Sequence, residues 1–190
     1  MNLLPEFELG LTTAWMFTAY LFLFMPLYFL TDLKERDLPA DFSLTIMEQR
    51  ITIAQNIFRP FIFLFPVFLP LKLGTIWFAI GLPICIVGMV LYGLVWVSMI
   101  TTPLNEPLTK GIYRFSRHPG HLTPYIIFVG VSFACASWQF FLISTIFIVL
   151  HALSAIPEER ADLEKYGTIY QAYLDRTPRW VGIPRKSKSI

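Results

Sequence analysis

The sequence predicts an all-α integral membrane protein: five transmembrane helices followed by a short C-terminal amphipathic helix. Two observations carry this. Apolar stretches of about 20 residues, enough to cross a bilayer as a helix, recur along the 190-residue chain. Only 15% of residues are charged and 55% are hydrophobic, where a soluble domain carries about 25% charged residues. The chain reads as a single transmembrane domain over residues 1–190.

The first span is expected from Leu9 to Thr31, aromatic-rich and free of charge. Glu6 and Glu8 stand where a cleavable signal would carry basic residues, and the apolar run is longer than a signal core. This helix is therefore expected to be retained. Asp32 to Phe42 is a charged loop. Thr45-Ile46-Met47-Glu48 has the form of a capping box opening the next helix. The second span is expected from Arg50 to Leu71. Its register is loose, because Gln55, Asn56 and Arg59 occupy its first half and Pro60, Pro66 and Pro70 its second. Each proline removes a backbone donor, so this span is expected to kink, or its first half to lie along the interface.

Lys72-Leu73-Gly74 forms a tight turn, and the third span runs from Thr75 to Ile100. Thr101 to Ser116 is a polar loop punctuated by Pro103, Pro107 and Gly111. The fourth span starts at Pro119 and ends near Ala136, with a turn at Ser137-Trp138; the fifth runs to Ile156. Pro157 suits the first turn of a new helix. Leu163, Tyr166, Tyr170 and Tyr173 then fall on one face of that amphipathic helix, with Gly167 a weak spot inside it. Arg185 to Ile190 read as a basic tail.

Five spans leave every Lys and Arg except Lys72 and Arg59 on the side of the C-terminus. Four or six spans would scatter them. The positive-inside rule puts that side in the cytoplasm and the N-terminus outside, in a bacterial inner membrane or a membrane of endoplasmic-reticulum type. A formal net charge of +2 gives no reason to expect nucleic acid as a partner. Cys85 and Cys135 lie in separate apolar runs, without the spacing of a disulfide framework or a metal site.

Arg117-His118-Pro119 lies just before the fourth span, and Glu158-Glu159 just after the fifth. The intervening hairpin returns both clusters to one membrane face. Each feature has an ordinary explanation. The triplet suits an interfacial anchor, the acids suit the positive end of a helix dipole, and the tyrosines suit an aromatic belt. Arg59 suits a snorkelling or paired arginine, and His151 a satisfied structural histidine. Cations, acids and tyrosines converging on one rim are harder to reconcile with structure alone, since ionisable groups at a membrane are costly.

Leu108-Thr109-Lys110-Gly111-Ile112-Tyr113, followed by Arg117-His118-Pro119, resembles the central motif of the isoprenylcysteine carboxyl methyltransferase family, shared by related membrane phospholipid methyltransferases. Glu158-Glu159, Leu163, Tyr166-Gly167, Tyr170, Tyr173 and Pro184 resemble that family's C-terminal motif in identity and spacing. The resemblance covers Leu104 to Pro184. It implies an enzyme using S-adenosylmethionine, with the cofactor enclosed by the loop at 101–118 and the segment at 157–184. It implies Tyr113, His118, Pro119, Glu159 and Tyr166 as cofactor-binding residues, and Arg117 and Glu158 as catalytic ones; His121 is a further catalytic candidate, on its own chemistry. Glu158 or Glu159 would accept hydrogen bonds from ribose hydroxyls or the ammonium group. Arg117 and His118 would hold the carboxylate, and Tyr113 or Tyr166 would lie near the sulfonium or adenine. The expected partners are a lipophilic or lipidated substrate and membrane lipid. No metal is implied.

The chain departs from the family where x-Tyr-x-Gly ordinarily follows the triplet. Gly120-His121-Leu122-Thr123 stands there, with His121 in place of tyrosine. The departure bears on the methyl acceptor more than on the cofactor, and makes His121 either a base, a substrate contact or a polar cap of the helix. Two other functions remain open. Sterol reductases, which use a nicotinamide cofactor, carry a similar Arg-His-Pro stretch and a counterpart of Lys165-Tyr166-Gly167, in much longer chains. A non-enzymatic membrane protein with a vestigial site is the other.

Overall fold

The computed structural model describes residues 7, 10–39 and 41–184. Glu6, Glu8 and the basic tail from Arg185 lie outside the described residues. Among the described residues the chain forms seven α-helices and three short 3₁₀ turns: α1 (Trp15–Phe22), α2 (Met25–Leu30), α3 (Ile46–Leu64), α4 (Ile76–Thr101), α5 (Pro119–Ala134), α6 (Trp138–Tyr166) and α7 (Thr168–Arg176). Extended pairing among the described residues is confined to one isolated bridge, Thr13 with Pro70, which ties the start of α1 to the end of the α3 segment.

Among the described residues three helical segments are long and apolar enough to cross a membrane: Ile46–Phe68, Ile76–Thr101 and Trp138–Tyr166. The expected first span is interrupted instead. Leu23 and Phe24 separate α1 from α2, and Pro26 stands at the start of α2. At about 1.5 Å per residue, the 16 residues of α5 span roughly 24 Å, short of the roughly 30 Å hydrocarbon core.

The capping box before α3 is formed in both directions: the Glu48 amide donates to Thr45 Oγ1 (3.3 Å) and the Thr45 amide to Glu48 Oε2 (2.8 Å). The prolines of this span divide their effects. Pro60 is carried inside α3, while Pro66 accompanies a switch to a 3₁₀ turn over Phe65–Phe68.

The expected break at Pro157 is absent. α6 continues unbroken through Pro157 for 29 residues, about 43 Å at helical rise. Pro157 lacks only the amide that would reach back one turn, and its ring is buried among neighbours, where apolar helices tolerate proline. The break falls ten residues later. Gly167 has φ 57° and ψ −130°, backbone that only glycine adopts readily. It caps α6 and turns the chain into α7. Tyr166 therefore belongs to α6, while Tyr170 and Tyr173 belong to α7.

The core joins α1, α3, α4, α5 and α6 through Phe17, Ile62, Cys85, Ile127, Phe128, Val131 and Phe140, all buried. The tightest approach is between α4 and α5. A methyl group added at Gly130 would lie 2.6 Å from the Cys85 amide nitrogen, and one at Gly81 would strike the backbone of Ala134. Small residues let helix backbones pack this closely in an apolar setting. At the other end of α5, the Arg-His-Pro triplet lies beside the last turns of α6, where Arg117 and His118 meet Glu158 and Glu159.

Candidate active site

The site is built where three segments meet: the N-terminus of α5, the last turns of α6, and the irregular stretch after α7. Backbone hydrogen bonds hold that stretch in place. The Arg117 amide donates to the Pro178 carbonyl (3.1 Å), and the Gly182 amide donates to the Phe115 carbonyl (3.1 Å). The Tyr173 hydroxyl donates to the Tyr113 carbonyl (2.7 Å), pinning α7 under the loop. Arg36 reaches over from the first charged loop to the carbonyls of Thr102 (2.6 Å) and Pro103 (2.9 Å).

Five of the sequence-predicted residues converge. Glu159 is buried and receives three cationic groups. His118 Nε2 lies 3.0 Å and an Arg117 guanidinium nitrogen 3.2 Å from its Oε1. Arg179 grips it with two nitrogens, Nε to Oε1 at 3.0 Å and a terminal nitrogen to Oε2 at 2.6 Å. Such a forked pair is the strongest geometry available to a carboxylate. Glu158 is more open, its side chain 34% exposed against 9% for Glu159. Its Oε2 lies 3.3 Å from His118 Nδ1 and 3.3 Å from His121 Nε2.

Both ring nitrogens of His118 thus face carboxylates, an arrangement that only the doubly protonated imidazolium satisfies. Burial lowers its proton affinity, but Glu158 and Glu159 outweigh burial and raise its pKa above the ordinary value. The Glu159 carboxylate likewise raises the pKa of Arg179. The Tyr170 hydroxyl is hydrogen-bonded to Asp162, and burial, then that carboxylate, push its pKa up.

The other predicted residues have different surroundings. Pro119 is buried in the first turn of α5. Tyr113 is buried in the 3₁₀ turn before α5. The Tyr166 hydroxyl points to the loop, donating to the Leu104 carbonyl (3.1 Å). Sequence reading missed Arg179, Trp180 and Asp162. Arg179 entered only as one positive charge among many, because nothing local marks its pairing with a glutamate 20 positions earlier. Trp180 sits with its ring 5.8 Å from His118.

An apolar cavity of about 600 Å³ lies against this cluster, within the size range of small-molecule sites. All six helices α1–α6 contribute to it, including Phe22, Phe63, Trp96, Phe128 and Phe147. Its polar wall is Asn56, Arg59, His121 and His151. His121 is the shared element, since its Nε2 meets Glu158 and its ring lines the cavity. The His121 and His151 rings lie 4.4 Å apart. The expected satisfied histidine at 151 instead has its Nδ1 buried without a partner, as do His121 Nδ1, Thr123 Oγ1 and Arg117 Nε. His118, His121 and Glu158 have ligand-capable atoms within 4.8 Å of one another, but His118 and Glu158 are already committed to charge pairing.

A family model for phospholipid methyltransferases matches residues 71–169, just over half of the chain. The matched stretch holds Arg117, His118, His121, Glu158 and Glu159, while Arg179 lies beyond it. Neither the curated proteins nor the solved structures yield a match.

Proposed function

We propose that this chain, which belongs to the phospholipid methyltransferase family, transfers a methyl group from S-adenosylmethionine to a lipophilic acceptor. The observation that carries this reading is the wall shared by a charged cluster and an apolar cavity at His121. A polar, charged donor and a greasy acceptor need opposite environments meeting at one point.

The residues present fit the donor. Arg117 Nε and Thr123 Oγ1 are buried polar atoms without partners beside the cluster, and such atoms are costly unless a ligand completes them. When bound, S-adenosylmethionine supplies a methyl group activated by a sulfonium charge. Glu158, open on one side, is the carboxylate available to ribose hydroxyls or an ammonium group. Glu159, held by Arg117, His118 and Arg179, acts as the post that orients those cations toward a carboxylate. Trp180 and Tyr113 offer aromatic faces nearby. Methyl transfer needs close alignment and exclusion of water more than acid–base chemistry, so positioning is the main catalytic contribution.

The same reading takes the segment Trp15–Leu30 and α5 as two further, shorter crossings beside the three long ones, giving five spans with the cluster on the cytoplasmic face. The donor then enters from the aqueous side and the acceptor from the bilayer. Incubation of the purified protein with methyl-labelled S-adenosylmethionine and a panel of lipophilic thiols, amines and acids tests it. Label should appear in an organic-soluble product and disappear in Glu158→Gln. Label confined to water-soluble products across the panel would sink the reading.

A further inference from the structure

We infer that His118, His121 and Glu158 form a binding site for a divalent transition metal of the zinc class, and that metal and methyl donor exclude one another there. The metal site stands on geometry alone, while the exclusion rests on the donor reading above.

The ligand set comes from two helix ends. His118 caps α5 and His121 follows three residues later, a spacing that puts two side chains on one face of a helix. Glu158, from the last turns of α6, meets both rings. One ligand-capable atom from each of the three residues lies within 4.8 Å of the other two. Two imidazoles and one carboxylate are a set that binds zinc and keeps a fourth position open. Hard ions such as magnesium and calcium take oxygen ligands instead.

Two distances suit a metal better than a charge pair alone. Glu158 Oε2 stands 3.3 Å from His118 Nδ1 and 3.3 Å from His121 Nε2. A hydrogen bond between a cationic nitrogen and a carboxylate is shorter, about 2.7–2.9 Å. Around tetrahedral zinc, bonds of about 2.0–2.1 Å set neighbouring ligand atoms about 3.3–3.4 Å apart.

His118 is also held as a ligand histidine is held. Its other nitrogen, Nε2, lies 3.0 Å from Glu159 Oε1, and Arg117 and Arg179 fix that carboxylate. A metal-bound histidine ordinarily gives its second N–H to such a group, which sets both tautomer and ring orientation. Without metal, a proton on Nδ1 answers Glu158; the metal takes the place of that proton and leaves the N–H toward Glu159 intact. His121 supplies the third ligand. Where the family pattern has tyrosine, whose hydroxyl keeps its proton up to a pH of about 10, this chain has an imidazole. Glu158 is the carboxylate assigned above to the donor's ribose or ammonium group, so a metal that takes it deprives the donor of that contact.

Tag-free, chelator-stripped full-length protein in detergent would be titrated with zinc chloride by calorimetry and with cobalt chloride by visible absorption. Saturable zinc binding and the intense bands of tetrahedral cobalt are expected. His121→Tyr and Glu158→Gln should each weaken zinc by about tenfold or more and abolish the cobalt bands, with His121→Gln in reserve should the tyrosine variant fold poorly. Absence of saturable zinc binding, or zinc affinity unchanged in these variants, overturns the site. With zinc at about ten times its Kd, S-adenosylhomocysteine should bind wild type about tenfold more weakly, and His121→Tyr should lose that dependence. S-adenosylhomocysteine affinity indifferent to zinc overturns the exclusion. Failure of S-adenosylhomocysteine to bind the metal-free protein overturns the methyltransferase reading instead, and the zinc titration still decides the metal site.

Discussion

Glu159 is the residue on which the cluster turns. Three cationic side chains meet one buried carboxylate, so its removal takes the ion-pair partner from Arg117 and Arg179 and leaves His118 with Glu158 alone. Taking away one partner of a buried ion pair costs about 3–5 kcal/mol. Glu159→Ala is therefore expected to destabilise the protein by about 3 kcal/mol in thermal or denaturant unfolding. Arg179→Lys loses the fork but keeps the charge on a side chain that is 40% exposed, and should cost about 1 kcal/mol or less. His118 adds a pH dependence. Its pKa is raised in the folded state, so its contribution is complete below the ordinary histidine value of about 6.5. It is lost as pH rises through the higher folded value. Unfolding free energy should fall with rising pH across that window in wild type and much less in His118→Gln. The sequence marked Arg117, His118, Glu158 and Glu159 because two short motifs hold them. Arg179 was illegible, since its forked pairing depends on a backbone hydrogen bond between Arg117 and Pro178 that no local pattern announces.

At the scale of elements, two glycines do different work. Gly130 lets α5 press against α4, where an added methyl would meet both the Cys85 amide and its sulfur at 2.6 Å. Gly130→Val should push the helices apart and cost about 1–3 kcal/mol, the usual penalty for overpacking, together with a displaced Arg-His-Pro triplet and weakened cofactor binding. Gly167 has open space around it, so Gly167→Ala should cost only its backbone strain, about 1–3 kcal/mol. Comparing the two variants by unfolding and by S-adenosylhomocysteine binding separates packing from conformation. The capping box at Thr45 and the third span were legible because cap chemistry and long apolar runs are local signals. The course of α6 through Pro157 was not. A proline after an apolar run suits a helix start, and only burial among neighbouring helices reveals that the helix continues.

For the molecule as a whole, hydropathy and the Lys/Arg distribution revealed a helical membrane protein. The apolar cavity was invisible, because residues from six helices compose it and no stretch of sequence carries its outline. The short α5 and broken α1–α2 show why span counting from composition outruns helix length. Five crossings make a topological prediction: the loop at residue 105 lies in the cytoplasm and the turn at residue 73 outside. With Cys85 and Cys135 buried, Leu73→Cys should react with an impermeant maleimide on intact cells, and Asn105→Cys only after permeabilisation. Labelling of both from one side would refute five spans. The central claim, a donor site at the Arg117–Glu159 cluster, is tested most directly by titrating purified protein with S-adenosylhomocysteine in a calorimeter, with NADPH as the comparison. The account predicts saturable binding of S-adenosylhomocysteine, weakened tenfold or more, about 1.4 kcal/mol, in His118→Ala, and no heat from NADPH. Heat from NADPH alone, or S-adenosylhomocysteine binding unchanged in His118→Ala, would contradict it.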